Sequence, residues 1–273
     1  MHLTHRFVDA ERIRLHMVET GSGATVVLLH GFPDSWYSWR RQLSDLGACH
    51  HVVAFDLPGF NKSDPLTRPE DYRADTVADL FAGVLRSMAP VALVGHDWGG
   101  MVAWRVAERY PELVSRLVVV NCPHPHLTRS ITWRDPRQLL RSWYIGIFRI
   151  PILGLAAARL AMPLALFLIV RSQAEREACA AALRRSGLRE PLRYYRNMSF
   201  LSPSPDGLRL PPTLLIWGER DPFLSRRLAD ATVRLLPAVQ LLRVRRGGHW
   251  VHQRQPHIIN ATLNRFLMSG GGE

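Results

Sequence analysis

The chain has 273 residues, with 35 Lys plus Arg against 23 Asp plus Glu and a formal net charge of +12. Its only lysine is Lys62, so arginine carries almost all of the positive charge. With 47% hydrophobic and 21% charged residues the sequence is neither disordered nor fibrous, and it suits one large domain or a core with an insertion.

Short apolar, β-branched runs alternate with longer amphipathic stretches. Residues 25–29 read as a buried strand ending at His30-Gly31, and 52–55 as another ending at Asp56. Residues 76–88 predict a helix with Val77, Leu80, Phe81, Val84 and Leu85 on one face. A strand at 91–94 runs into Gly95, a helix at 99–110 stops at Pro111, and 117–120 is a further strand. Strands at 213–217 and 240–244 flank a helix near 225–236. Fully apolar strands in this alternation predict an α/β fold: a mostly parallel sheet with helices on both faces. In such sheets function gathers at the carboxyl ends of the strands.

Between residues 125 and 205 the alternation stops and the pattern is helical, rich in Arg, Leu and Ala. This segment is expected as a helical cap inserted after the strand at 117–120, with 1–124 and 206–273 forming the core. Residues 150–170 are apolar enough to suggest a membrane span, but hold Arg159 near the middle and prolines at 151 and 163. An arginine at a bilayer centre costs about 2.5–3.5 kcal/mol on insertion scales. A buried or substrate-facing pair of apolar helices is therefore expected, and no transmembrane segment.

Cys49, Cys122 and Cys179 form no CxxC pair, which argues against a disulfide framework or a cysteine zinc site. With no apolar run at the N-terminus, the expected location is cytoplasmic.

The strongest signal is Val94-Gly95-His96-Asp97-Trp98-Gly99-Gly100. A strand enters, a helix leaves, and small residues lie two positions either side of Asp97, as a nucleophile elbow requires. An aspartate at that point suits attack on carbon with formation of an ester. Hydrolysing the ester needs a base. His249, after Gly247-Gly248, follows the last strand, and Asp221 follows the preceding one. Glu219 lies two residues from Asp221, but Asp221 is farther past the strand end. The order nucleophile, acid, histidine fits His249 activating water and Asp221 orienting it. The backbone N–H groups of Phe32, in His30-Gly31-Phe32-Pro33, and of Trp98 are placed to form an oxyanion hole. Pro33 suits a cis bond in a tight turn.

With these motifs the chain resembles the α/β-hydrolase superfamily, and within it the epoxide hydrolases. The motifs specify the aspartate-nucleophile branch but do not alone separate epoxide hydrolases from haloalkane or haloacid dehalogenases. The cap does. An epoxide leaves as an alkoxide and needs an acid, whereas halide leaves without a proton. Ser142-Trp143-Tyr144 is similar to the family's first tyrosine motif. Residues 191–198 are similar to the second, with Tyr195 in the functional place. Phe32 and Trp98 stand where dehalogenases carry a halide-binding asparagine and an arginine, respectively. Arg149 replaces the family's usual glutamine, and the turn 59–62 lacks a second glycine.

The resemblance implies hydrolysis of a small apolar epoxide to a diol by Asp97, His249, Asp221, Tyr144 and Tyr195, with no metal or organic cofactor. Phe32, Trp98, Trp143 and apolar cap residues are expected as pocket walls. A dehalogenase with the same three residues is the near alternative, and a non-catalytic ligand-binding protein the distant one. No nucleic-acid partner is expected, since no recognition motif accompanies the charge. A homodimer is compatible with the reading.

Overall fold

The computed structural model describes residues 2–127, 135–170, 172–198 and 208–268. Eight strands form one sheet in the order β1-β2-β4-β3-β5-β6-β7-β8. They are β1 Thr4–Ala10, β2 Ile13–Thr20, β3 Thr25–Leu29, β4 His51–Phe55, β5 Val91–His96, β6 Val114–Val120, β7 Thr213–Gly218 and β8 Gln240–Val244. The pairings from β4 through β3, β5, β6 and β7 to β8 are parallel, whereas β1–β2 and β2–β4 are antiparallel.

The period-2 alternation of a strand divides the core cleanly. Val27, Leu29, Leu93, Leu117, Val119, Leu215 and Trp217 face one apolar layer, under α2 (Ala74–Leu85) and α3 (Trp98–Arg109). Val26, Leu28, Val94, Val118, Leu214 and Ile216 face the other. That second layer is closed by α1 (Arg40–Leu46) and by the helix Pro256–Met268, through Leu43, Leu263 and Phe266. Both faces are covered, which is why the central strands are apolar throughout.

The β1–β2 hairpin was not read from the residue pattern. Phe7 is exposed and most of β1 faces solvent, so no buried apolar run marks it.

Between β6 and β7 the described residues form only helices: α4 Pro136–Arg141, α5 Trp143–Phe148, α6 Pro151–Ile169, α7 Gln173–Ser186 and α8 Pro191–Arg196. The expected boundary at 205–206 lies outside the described residues. Side-chain ties hold these helices to the core. Arg40 and Arg41 donate to Glu175 of α7, Arg185 donates to Asn61 Oδ1 at 2.6 Å, and Tyr72 donates to Glu190 at 2.9 Å. Asn61 has φ +46°, supplying the left-handed turn that a glycine would otherwise make, and donates to Asp56 at 2.8 Å.

Residues 150–170 differ from the expectation of a helix pair. Pro163 lies inside the single 19-residue helix α6. It removes a hydrogen bond to the carbonyl of Arg159, on the solvent side where water can replace it. The helix is also not wholly buried. Gly154, Ala158, Met162, Leu166 and Ile169 face inward, while Ile152 and Leu160 are 86% and 85% exposed.

Candidate active site

Asp97 sits between β5 and α3 with φ +52° and ψ −118°, a conformation costly for a residue with a Cβ. Two glycines make the turn feasible. A Cβ on Gly95 would lie 2.3 Å from the Gly99 carbonyl oxygen, and one on Gly99 would lie 2.3 Å from that of Leu29. The tight strand–turn–helix forces the Asp97 side chain out at the carboxyl edge of the sheet. Its Oδ1 accepts the Phe32 N–H at 2.9 Å. The Phe32–Pro33 bond is cis, as the sequence suggested.

His249 reaches the same point from the loop after β8. Its Nδ1–H donates to Asp221 Oδ2 at 2.7 Å, and its Nε2 lies 3.5 Å from Asp97 Oδ2. Asp221 is 2% exposed and fully hydrogen-bonded. Oδ1 accepts the N–H groups of Phe223 and Leu224 at 2.8 and 2.9 Å, and Oδ2 also accepts Asn121 Nδ2 at 2.6 Å. Glu219, the competing acid, lies 3.7 Å from Arg243 instead.

Asn121 is a partner of Asp221 whose role no sequence motif marks. It follows β6 with φ +45°, accepts the Gly218 N–H at 3.0 Å through its carbonyl, and so ties Asp221 to two strand ends. Its position just past a central strand was the available signal.

The electrostatics follow from burial and pairing. Burial disfavours a charged imidazole, but Asp221 and Asp97 outweigh it and hold His249 up to about 10. Burial likewise acts to raise Asp97, yet the hydrogen bond and charge of His249 prevail and its carboxyl lies below the usual value. The resting pair is therefore carboxylate and imidazolium. His96 donates Nε2–H to the His249 carbonyl at 3.0 Å and is kept neutral by burial, down to about 3.

Tyr144 of α5 and Tyr195 of α8 line the same cavity as Asp97 and His249. Their rings meet edge to face with centroids 6.2 Å apart. Burial, reinforced by the Asp97 charge, raises both phenols, so both keep their protons at any physiological pH. The neighbouring Tyr194 is turned away. Its hydroxyl donates to the Pro58 carbonyl at 3.2 Å, and its ring packs against Tyr72 and Phe60.

The cavity has a volume of about 490 Å³. Phe32, Phe148, Met162, Phe223 and Trp250 form much of its wall, and Trp143 stands at its exposed edge. Trp98 does not line this space as expected. It lines a smaller recess of about 50 Å³ that also borders Asp97, Tyr144 and Tyr195. The elbow turn directs its indole against Tyr194 and Tyr195 instead. Of the two proposed oxyanion donors, Phe32 N–H is the one in contact with the Asp97 carboxylate.

Among the described residues one group has the donors for a metal: Asp34, His96 and His252, buried behind His249 with donor atoms within 4.8 Å. Asp34, raised to about 7 by burial, accepts from Gln253 at 3.1 Å, and His96 is engaged with His249. This packing supports His249 from behind.

The α/β-hydrolase family model matches residues 26–262. Mouse epoxide hydrolase 4 is 34% identical, over 97% of this chain and 79% of its own. Epoxide hydrolase 2 of Caenorhabditis elegans is 32% identical over 96% of this chain and 79% of its own. The crystal structure of Bacillus megaterium epoxide hydrolase in complex with an inhibitor superposes with a TM-score of 0.85 at 25% identity, covering 96% of this chain and 99% of that one. Sheet order, elbow and relatives converge: the chain belongs to the α/β-hydrolase family and, within it, to the epoxide hydrolases.

Proposed function

We propose that the protein hydrolyses an apolar epoxide to a vicinal diol through a covalent ester on Asp97. The observation that carries this reading is one cavity lined by a nucleophile-elbow carboxylate, two protonated phenols and a carboxylate-oriented imidazole. The names of the relatives agree with it.

In the first step an Asp97 oxygen attacks an epoxide carbon. Oδ1 is held by Phe32, which leaves Oδ2 for the attack. The carbon–oxygen bond breaks, and Tyr144 and Tyr195 stabilise and protonate the ring oxygen. Their raised pKa values make them poor acids towards water. An alkoxide is far more basic than a phenolate, so proton donation remains downhill.

Ester formation removes the charge of Asp97, one of the two groups that hold the proton on His249. His249 then gives up its Nε2 proton to the phenolate left by the first step, and the neutral imidazole becomes the base for the second step, with Asp221 keeping its Nδ1–H in place. His249 takes a proton from water, and the hydroxide adds to the carboxyl carbon of Asp97. The Phe32 and Trp98 N–H groups stabilise the oxyanion. Collapse expels the diol oxygen, which takes up the proton of the added hydroxyl, and restores the Asp97 carboxylate beside the His249 imidazolium.

A His249→Gln variant given an aryl or alkyl epoxide tests the scheme by mass spectrometry. The expected result is stoichiometric addition of the substrate mass to the peptide containing Asp97, persisting after substrate is removed. An unmodified peptide with multiple turnovers would refute it.

A further inference from the structure

The exposed side of the cap is apolar where a soluble protein usually places polar groups. Ile152, Leu160, Leu164 and Phe167 recur at helical spacing along the outside of α6, all exposed. Leu140 and Trp143 of the preceding helices are exposed as well, at 76% and 65%. The charges within this segment are of one sign. From residue 136 to 170 there are four arginines, 137, 141, 149 and 159, and no Asp or Glu. All four arginines are exposed.

The same surface is the mouth of the active-site cavity. Leu140, Arg141, Trp143, Leu164 and Leu168 are exposed, yet also line the space that reaches Asp97. An apolar solute can pass from the outer face to the carboxylate over apolar side chains.

We propose that the outer face of α5 and α6 docks on an anionic lipid bilayer, setting the cavity mouth at the boundary between headgroups and acyl chains. Apolar side chains with interspersed arginines are what that boundary accepts, and the absence of carboxylates makes the face complementary to negative headgroups. The helix lies on the membrane rather than across it. Its inner face is buried against the cap and lines the cavity, and Arg159 stands mid-helix. Docking stands on this face alone. Delivery of lipid-dissolved epoxide to Asp97 rests in addition on the proposed function.

The test is co-sedimentation of the full chain with phosphatidylcholine vesicles, with and without phosphatidylglycerol, at low and high salt. Wild type is expected to bind the anionic vesicles most strongly, and less so in high salt. Two variants probe the face without touching the cavity lining: Ile152→Glu with Leu160→Glu, and Arg149→Glu with Arg159→Glu. Each is expected to weaken vesicle binding roughly tenfold or more, with hydrolysis of a water-soluble epoxide unchanged. The reading is overturned if wild type stays in solution with anionic vesicles. It is equally overturned if both variants bind like wild type, or if wild type is a dimer that binds no vesicles and that Ile152→Glu with Leu160→Glu splits, because a second copy would then cover the face. Vesicle binding is read without substrate, so its failure is distinct from failure of the epoxide chemistry.

Discussion

The edge of the sheet and the cap above it hold their functional groups by different means. At the edge the reactive groups are held by hydrogen bonds, ion pairing and backbone geometry. Asp221 accepts from four groups, His249 is clamped between two carboxylates, and Asp97 is pinned by a turn that only glycine neighbours permit. In the cap, Tyr144 and Tyr195 are positioned by aromatic packing on Phe148, Phe223 and Trp98. Asp97 and His249 stand just past strand ends, which cannot shift without disturbing the sheet, whereas Tyr144 and Tyr195 stand on short helices. In the proposed mechanism, attack and ester hydrolysis therefore depend on rigid geometry, while leaving-group protonation and substrate choice depend on the cap.

The largest effect should come from the edge. Asp97→Ala removes the nucleophile and should lower turnover by about 10⁴-fold or more, with no covalent adduct. His249→Gln should have a similar steady-state effect but leave a burst of one equivalent, because only the second step is lost. In the cap, Tyr144→Phe or Tyr195→Phe should each slow ester formation by about 10²-fold, with the double variant far slower than either. Stopped-flow tryptophan fluorescence or rapid quench separates the two steps. Weak effects of both single and double tyrosine variants, with halide released from haloalkanes, would favour a dehalogenase and dissolve the contrast between the two regions.

A smaller effect is expected at Asn121. A lost hydrogen bond to a charged group amounts to about 1.5–3 kcal/mol, but Asp221 keeps its two backbone donors and His249. Asn121→Ala should therefore reduce hydrolysis of the ester by about tenfold and leave ester formation almost unchanged.

Stability against pH reads the His249 pairing without substrate. His249 is raised in the folded protein to about 10 from an ordinary value of 6.5. Its pairing contributes stability that is fully present below about pH 6.5 and is lost as pH rises towards 10. Denaturant midpoints should fall across that window. In Asp97→Asn they should fall less, since one of the two carboxylates holding the proton is gone. An identical slope in both proteins would contradict the pairing.

The sheet edge was legible in the sequence because its constraints are local. Gly95, Gly99 and the strand before Asp97 are contiguous, and His249 and Asp221 each follow a recognisable strand. Asn121 was harder to interpret, because its role depends on β6 lying beside β7, which no local pattern states. The β1–β2 hairpin was missed because its outer strand buries little. In the cap, the resemblance pointed to Tyr144 and Tyr195, whereas composition suggested only a buried or substrate-facing pair of apolar helices at 150–170. A helix apolar all round gives no indication of which face is covered, so the exposure of Ile152 and Leu160 could be seen only in the fold. The displacement of Trp98 from the main cavity has the same origin, since the turn that presents Asp97 sets the direction of the next side chain.

The central claim is that Asp97 carries the substrate as an ester. The most direct measurement is hydrolysis in heavy-oxygen water, followed under single-turnover conditions and then over several turnovers. The account predicts an unlabelled diol in the first turnover, with label appearing in the Asp97 carboxylate and reaching the diol only in later turnovers. Label in the diol from the first turnover, with Asp97 unlabelled, would mean that water attacks the epoxide directly and would contradict the account.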